Sequence, residues 1–238
     1  MPPVLVSFAS FGRENYHESL LRLIASALPY WNAVNGDYLI FSPDHPISKF
    51  RGVELRRCLP DQGRLPYLPH RDMPYQFKYA LIDYARSLGY EKVVWLDSAM
   101  KICRDLMPLF RHETGITVFH NLGHPLYKYM GDEALNLLGI DEERLRLIPQ
   151  IWGGAQFWDF SKPNAREVWE QVIEFAGNGS FSNQGSMREG FVAHRHDQAV
   201  LSALVHGRCR MLPYGNIVNP PHDTDFRFGK DFYLISRG

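Results

Sequence analysis

Two short segments place acidic side chains where chemistry can use them. In Val93-Val-Trp-Leu-Asp97-Ser98-Ala99 an apolar run ends on a carboxylate followed by small residues. In His194-Arg-His196-Asp197-Gln198 a second carboxylate directly follows a histidine and opens an apolar helical stretch. A strand-end Asp can simply close the next turn, and Asp at a helix start is a good N-cap. The same groups can instead orient a hydroxyl, take its proton, or hold a cation. Lys78 sits one position from an apolar helical stripe, so it is either a solvated helix lysine or a point charge for a phosphate. Phe8-Ala9-Ser10-Phe11-Gly12-Arg13 closes an apolar run with backbone groups, a ring and a guanidinium. It is an ordinary turn with a permissive glycine or a loop that holds a ligand. In Trp152-Gly153-Gly154 the glycines allow close approach of a ligand to the backbone, and the indole offers a face to a sugar. A plain turn needs the same residues.

The elements that must position these groups are legible from hydrophobic period. Val4–Phe8, Asp37–Phe41, Glu91–Leu96, Gly115–Phe119 and Ala155–Phe160 read as strands, and Met211-Leu212 and Phe232–Ile235 as short late ones. Leu20, Leu21, Ile24 and Leu28 share one face of a helix, as do Phe77, Ala80, Leu81, Tyr84, Ala85 and Leu88, with Gly89 as its stop. Ser161 with Pro163 starts a helix carrying Ala165, Val168, Trp169, Val172 and Ile173, and Asp197–Val205 is another. Residues 63–74, rich in Pro, Arg and His, read as an irregular loop. Strands alternating with helices predict an α/β fold with a mostly parallel central sheet flanked by helices, as one domain over residues 1–238. In such sheets ligands sit beyond the carboxyl ends of the strands, which is where Ala9, Asp97 and their neighbours fall.

With these residues in this order the sequence resembles the GT-A fold glycosyltransferases, a Rossmann-related family of nucleotide-diphosphate-sugar transferases. The likeness rests on a helix with an early lysine (Lys78), a strand ending in an Asp-x-Asp-like motif (Asp97-Ser98-Ala99), the Trp152-Gly153-Gly154 turn, and His196-Asp197-Gln198 opening a later helix. It covers about three-quarters of the chain. The resemblance implies sugar transfer from a nucleotide-sugar donor to a glycan or other hydroxyl acceptor. It also implies donor contacts at Ala9, Ser10, Phe11, Arg13, Lys78, Asp97, Ser98 and Ala99. Trp152, Gly153, Gly154, His196 and Gln198 fall to the acceptor or sugar, and Asp197 and Asp97 to catalysis, with Asp159 a lesser candidate base. The family's second carboxylate holds Mn2+ or Mg2+, and here that position is Ala99. Three outcomes follow: a metal held by Asp97 with His222, phosphates neutralised by Lys78, Arg13 or Arg71, or a non-catalytic sugar-nucleotide or glycan-binding relative.

Composition narrows the classes. Hydrophobic residues make up 45% of the 238, and Lys plus Arg equals Asp plus Glu at 26 each. That balance gives no bulk attraction to nucleic acid or an anionic membrane. Cys58, Cys103 and Cys209 lie far apart without C-x-x-C spacing, which argues against a zinc ribbon or a disulfide framework. No secretory leader is legible at Met1-Pro-Pro-Val, and no apolar run approaches the roughly 18–20 residues of a membrane span. A soluble, cytoplasmic enzyme is the expectation. His194-x-His196-Asp197 also evokes metal-dependent hydrolases, but the ligand spacing of that class is not met.

Overall fold

The computed structural model describes residues 1–9, 14–121, 123–213, 217–218 and 234–236. In chain order the elements are β1 (Val4–Phe8), α1 (Glu14–Trp31), β2 (Asp37–Phe41), β3 (Lys49–Phe50), β4 (Val53–Glu54), β5 (Arg56–Arg57) and α2 (Gln76–Ser87). Then come β6 (Lys92–Leu96), β7 (Met100–Ile102), β8 (Ile116–His120), α3 (Asp132–Leu138), α4 (Glu142–Leu147) and β9 (Ile151–Asp159). The last are α5 (Pro163–Gly177), α6 (His196–Val205), β10 (Arg210–Leu212), β11 (Ile217–Val218) and β12 (Leu234–Ser236).

Seven strands form the main sheet in the order β10-β8-β9-β6-β1-β2-β5. Every neighbouring pair is parallel except those made by β9, which runs antiparallel between β6 and β8. Both faces are covered, so inner strands read as continuous apolar runs rather than alternating ones. Val4, Val6, Val93 and Trp95 pack on the α2–α5–α6 side. Leu5, Val94 and Leu96 pack on the α1 side against Leu20, Leu23, Ile24 and Trp31. The sheet therefore has the period-two split of a strand with an apolar partner on each face.

Beyond β6 the chain turns at Asp97-Ser98-Ala99 into β7. The Met100 N–H bonds the Asp97 carbonyl at 3.0 Å. The β6–β9 ladder continues one residue past the strand, with the Asp97 N–H on the Gly154 carbonyl at 2.9 Å. β7 then joins β12 and β11 in a separate three-stranded sheet. The carboxylate thus leaves the main sheet from a backbone pinned on both sides. No helix among the described residues is long and apolar enough to cross a membrane.

Candidate active site

Two chain reversals with unusual backbone bring the charged residues together. α2 is preceded by Tyr75 at φ 62°, and α6 opens on His196 at φ 44°. Non-glycine residues in this left-handed region cost about 1–3 kcal/mol and persist where the surroundings impose them. Their rings face each other with centroids 5.7 Å apart. Lys78 follows three residues after Tyr75, and Asp197 directly after His196.

The Lys78 ammonium is buried at the carboxyl edge of the sheet. It lies 3.6 Å from Asp97 Oδ1 and 3.4 Å from Asp197 Oδ2, and donates to the Gly153 carbonyl at 3.2 Å. The rings of Tyr75 and Trp95 lie 4.9 and 5.8 Å from it. Burial alone would push Lys78 down, but Asp197 and then Asp97 outweigh it and its pKa is raised. A lysine so placed stays charged. Asp197 is 2% exposed. Burial raises its pKa, Lys78 offsets this only in part, and the Asp97 charge adds to the rise. Tyr79 donates to Asp197 Oδ2 at 3.4 Å, and Gln156 donates to the Tyr79 hydroxyl at 3.3 Å. Trp95 Nε1 donates to Asp97 Oδ1 at 2.8 Å, while the Asp97 side chain is 41% exposed. One cation between two carboxylates leaves the cluster one negative charge.

Two clefts meet at this cluster. A polar one of about 250 Å³ is lined by Trp152, Gly153, Gly154, Arg195, Gln198 and both carboxylates. A larger, aromatic one of about 510 Å³ is walled by Phe8, Tyr16, His70, Tyr75, Phe77 and Trp95 and ends at Ser98 and Ala99. The missing Cβ of Gly154 leaves room for the Trp152 indole, which a Cβ would meet at 2.4 Å. Gly153 faces Asp197 and Gln198, and its N–H donates to Gln198 Oε1 at 3.4 Å. Gln198 Nε2 is buried without a partner among the described residues.

The structure brings Lys78, Asp97, Ser98, Ala99, Trp152, Gly153, Gly154, His196, Asp197 and Gln198 to one place. Ala9 is buried beside them, its N–H on the Phe41 carbonyl. Ser10, Phe11, Arg13 and His222 lie outside the described residues. Asp159 pairs with Lys92 at the opposite end of the sheet and its carboxylate holds the Ser161 N–H and hydroxyl, so it is no candidate base. Arg71 is exposed and pairs with Asp72. Nor is Asp197 an N-cap. That position is Arg195, and the carboxylate turns to Lys78 instead. His194 uses both ring nitrogens on backbone, Nδ1 accepting from the Gly131 N–H and Nε2 donating to the Ser180 carbonyl. It has none left for a metal. Tyr79 and Gln156 were not foreseen. Tyr79 stands four residues after Tyr75, on the same helix face, and that spacing was the available signal.

The family resemblance implies Mn2+ or Mg2+, and of the pair read from the sequence for it, Asp97 with His222, only Asp97 is among the described residues. Among them no group of three His, Cys, Asp or Glu side chains could hold a metal ion, and Ala99 supplies no ligand. Asp97 is the carboxylate left at the motif, and Lys78 already faces it.

The fold is that of the GT-A glycosyltransferases: a mixed α/β domain with a mostly parallel sheet flanked by helices. No family model and no curated protein matches the chain. Among solved structures it is similar to the bifunctional glycosyltransferase WbbM in its apo form, with a TM-score of 0.59 and 16% identity, over 99% of this chain. That match spans 45% of the WbbM chain, less than half its length. It is also similar to the galactosyltransferase LgtC in complex with donor and acceptor sugar analogues, with a TM-score of 0.54 and 12% identity, over 98% of this chain and 86% of that one.

Proposed function

We propose that this protein transfers a sugar from a nucleotide-diphosphate donor to a hydroxyl of an acceptor. The observation that carries the reading is the buried Lys78 ammonium held between Asp97 and Asp197, where an aromatic cleft meets a polar one. Flat rings around a 510 Å³ space suit a nucleobase and ribose. The polar cleft, with carboxylates, a Gln198 amide nitrogen lacking a partner among the described residues and glycine backbone, suits the hydroxyls of a sugar.

The residues divide the work by access. Asp97 is the exposed carboxylate, able to accept a hydrogen bond from a hydroxyl in the cleft. Asp197 is closed in by Lys78 and Tyr79, so its part is to keep Lys78 charged and to orient the sugar rather than to abstract a proton. Lys78 faces the developing negative charge as the donor bond breaks, a preorganised charge buried at the junction of the two clefts. Arg13, read from the sequence, is the proposed second cation toward the diphosphate. Ala99 favours one other reading, a sugar-nucleotide-binding relative without turnover.

A panel of common nucleotide sugars separates them. The enzyme releases nucleoside diphosphate from one donor and is stabilised by it against unfolding. Stabilisation without release under any condition selects the binding protein. Neither effect with any donor overturns both. Placement in the cytoplasm belongs to the same proposal, because a nucleotide-sugar donor must be at hand.

A further inference from the structure

Tyr75, Lys78 and Asp97 line both the aromatic cleft and the polar one. A ligand that reaches from one cleft into the other passes them. Lys78 and Asp97 are already committed. The ammonium is shared by Asp97 and Asp197, and Asp97 Oδ1 also takes the Trp95 indole N–H. Tyr75 is not. The residue is 37% exposed, and its hydroxyl has no hydrogen-bond partner among the described residues.

The fold nonetheless holds this ring from several sides. The Tyr75 N–H donates to His70 Nδ1 at 3.2 Å, and the His70 ring stands edge-on at 4.5 Å. Its carbonyl takes the Lys78 N–H at 3.1 Å, and the ring lies 4.9 Å from the Lys78 ammonium. The backbone at Tyr75 is left-handed, with φ 62°. Glycine or asparagine adopts that conformation with less strain than an aromatic residue. A strained aromatic whose polar end the fold leaves unused points to a role outside folding. Burial, then Asp197, raise the pKa of the phenol against the opposing pull of Lys78 and Arg195. The hydroxyl therefore keeps its proton and is available as a donor.

With the nucleoside in the aromatic cleft and the sugar in the polar one, the bond that breaks lies at their junction. The cluster there carries one net negative charge, because two carboxylates offset Lys78. A neutral hydroxyl stabilises a departing oxygen without a counter-charge of its own. We propose that Tyr75 is a catalytic residue, its hydroxyl donating a hydrogen bond to the phosphate oxygen that leaves the anomeric carbon. The inference rests on the glycosyltransferase reading. As the bond from carbon to that oxygen breaks, its electron pair stays on the oxygen. The acceptor oxygen forms the new bond to the carbon, and its proton passes to water in the open cleft. Tyr75 keeps its own proton throughout.

The variant is Tyr75→Phe, which keeps the ring and its contacts and removes one oxygen. Its unfolding temperature stays within about 2 °C of the wild type, because no protein group loses a bond. Turnover of the active donor falls about 100-fold while donor KM stays within about threefold, the pattern of an interaction made in the transition state. Calorimetry with uridine, guanosine, cytidine and adenosine diphosphates needs no turnover. The diphosphate that the wild type binds is held about tenfold more weakly by the variant, because its terminal phosphate carries the charge of the leaving oxygen. Affinity for the matching monophosphate is unchanged. Wild-type turnover in the variant overturns the proposal, as does a raised KM at unchanged kcat, which marks uniform binding. A fall of about 5 °C in unfolding temperature assigns the hydroxyl to the fold and overturns it too. A wild type that releases no nucleoside diphosphate from any donor sinks the transferase reading and the catalytic role with it. Diphosphate affinity that still depends on Tyr75 then leaves the hydroxyl standing as a phosphate contact.

Discussion

Helix α2 has a buried ionic group near each end, and the two are built to opposite standards. Near its carboxyl end, Asp83 is 2% exposed. It accepts bonds from the Arg64 backbone N–H at 2.8 Å, from Arg64 Nη2 at 2.8 Å and from Trp169 Nε1 at 3.2 Å. Burial pushes its pKa up, but the Arg64 and Trp169 bonds win and the carboxyl sits below its ordinary range. Near the amino end, Lys78 meets Asp197, which is just as buried but held by Lys78 and Tyr79 at 3.4 Å each and by the Gln198 backbone N–H. There burial wins and the pKa goes up. One carboxylate is fully used by the fold. The other keeps hydrogen-bonding capacity in hand, next to two strained residues and a half-paired amide. Buried charge alone does not mark a site; buried charge with capacity unspent does.

The largest effect that tests this contrast is expected at Lys78. Lys78→Met leaves two carboxylates facing each other without their cation. Donor turnover falls by roughly 10²–10³-fold, and stability by about 3–5 kcal/mol, as for a broken buried pair, measured by denaturant unfolding. Asp83→Ala is the counterpart, with a loss of about 3 kcal/mol and turnover per folded molecule unchanged. Impaired turnover in the folded fraction breaks the contrast.

His194 sharpens it from the structural side. Burial lowers its pKa to about 4 from the usual 6.5, with the His196 ring 5.4 Å away. The folded state therefore binds fewer protons than the unfolded chain between those values, and stability rises with pH across that window. Acidification from 6.5 to 4 removes about 3 kcal/mol. His194→Gln flattens this part of the profile. An unchanged profile refutes the assignment.

Much of this was legible in the sequence because strand ends and helix starts are local signals. The apolar run before Asp97, the stripe beside Lys78 and the apolar stretch after Asp197 put these residues at a strand end, on a helix and at a helix start, as the structure has them. What escaped depends on long-range contact. Asp83 gains its meaning from Arg64 and Trp169, 19 and 86 residues away. β7 has three residues and finds its partner in β12, far along the chain. α3 and α4, with seven and six residues, are too short for period to show. Nor does any local pattern tell that Asp159 faces the wrong end of the sheet. Ser10, Phe11, Arg13 and His222 keep their standing as expectations from sequence.

The most direct measurement pairs turnover with stability in Asp197→Asn. A neutral isostere removes the charge that burial disfavours, so the account predicts unfolding free energy within about 1 kcal/mol of the wild type. Nucleoside-diphosphate release from the active donor falls at least 100-fold in the same preparation. An Asp197→Asn protein that turns over donor at the wild-type rate, or that unfolds like Asp83→Ala with its activity intact, contradicts the claim that the Lys78 cluster is the active site.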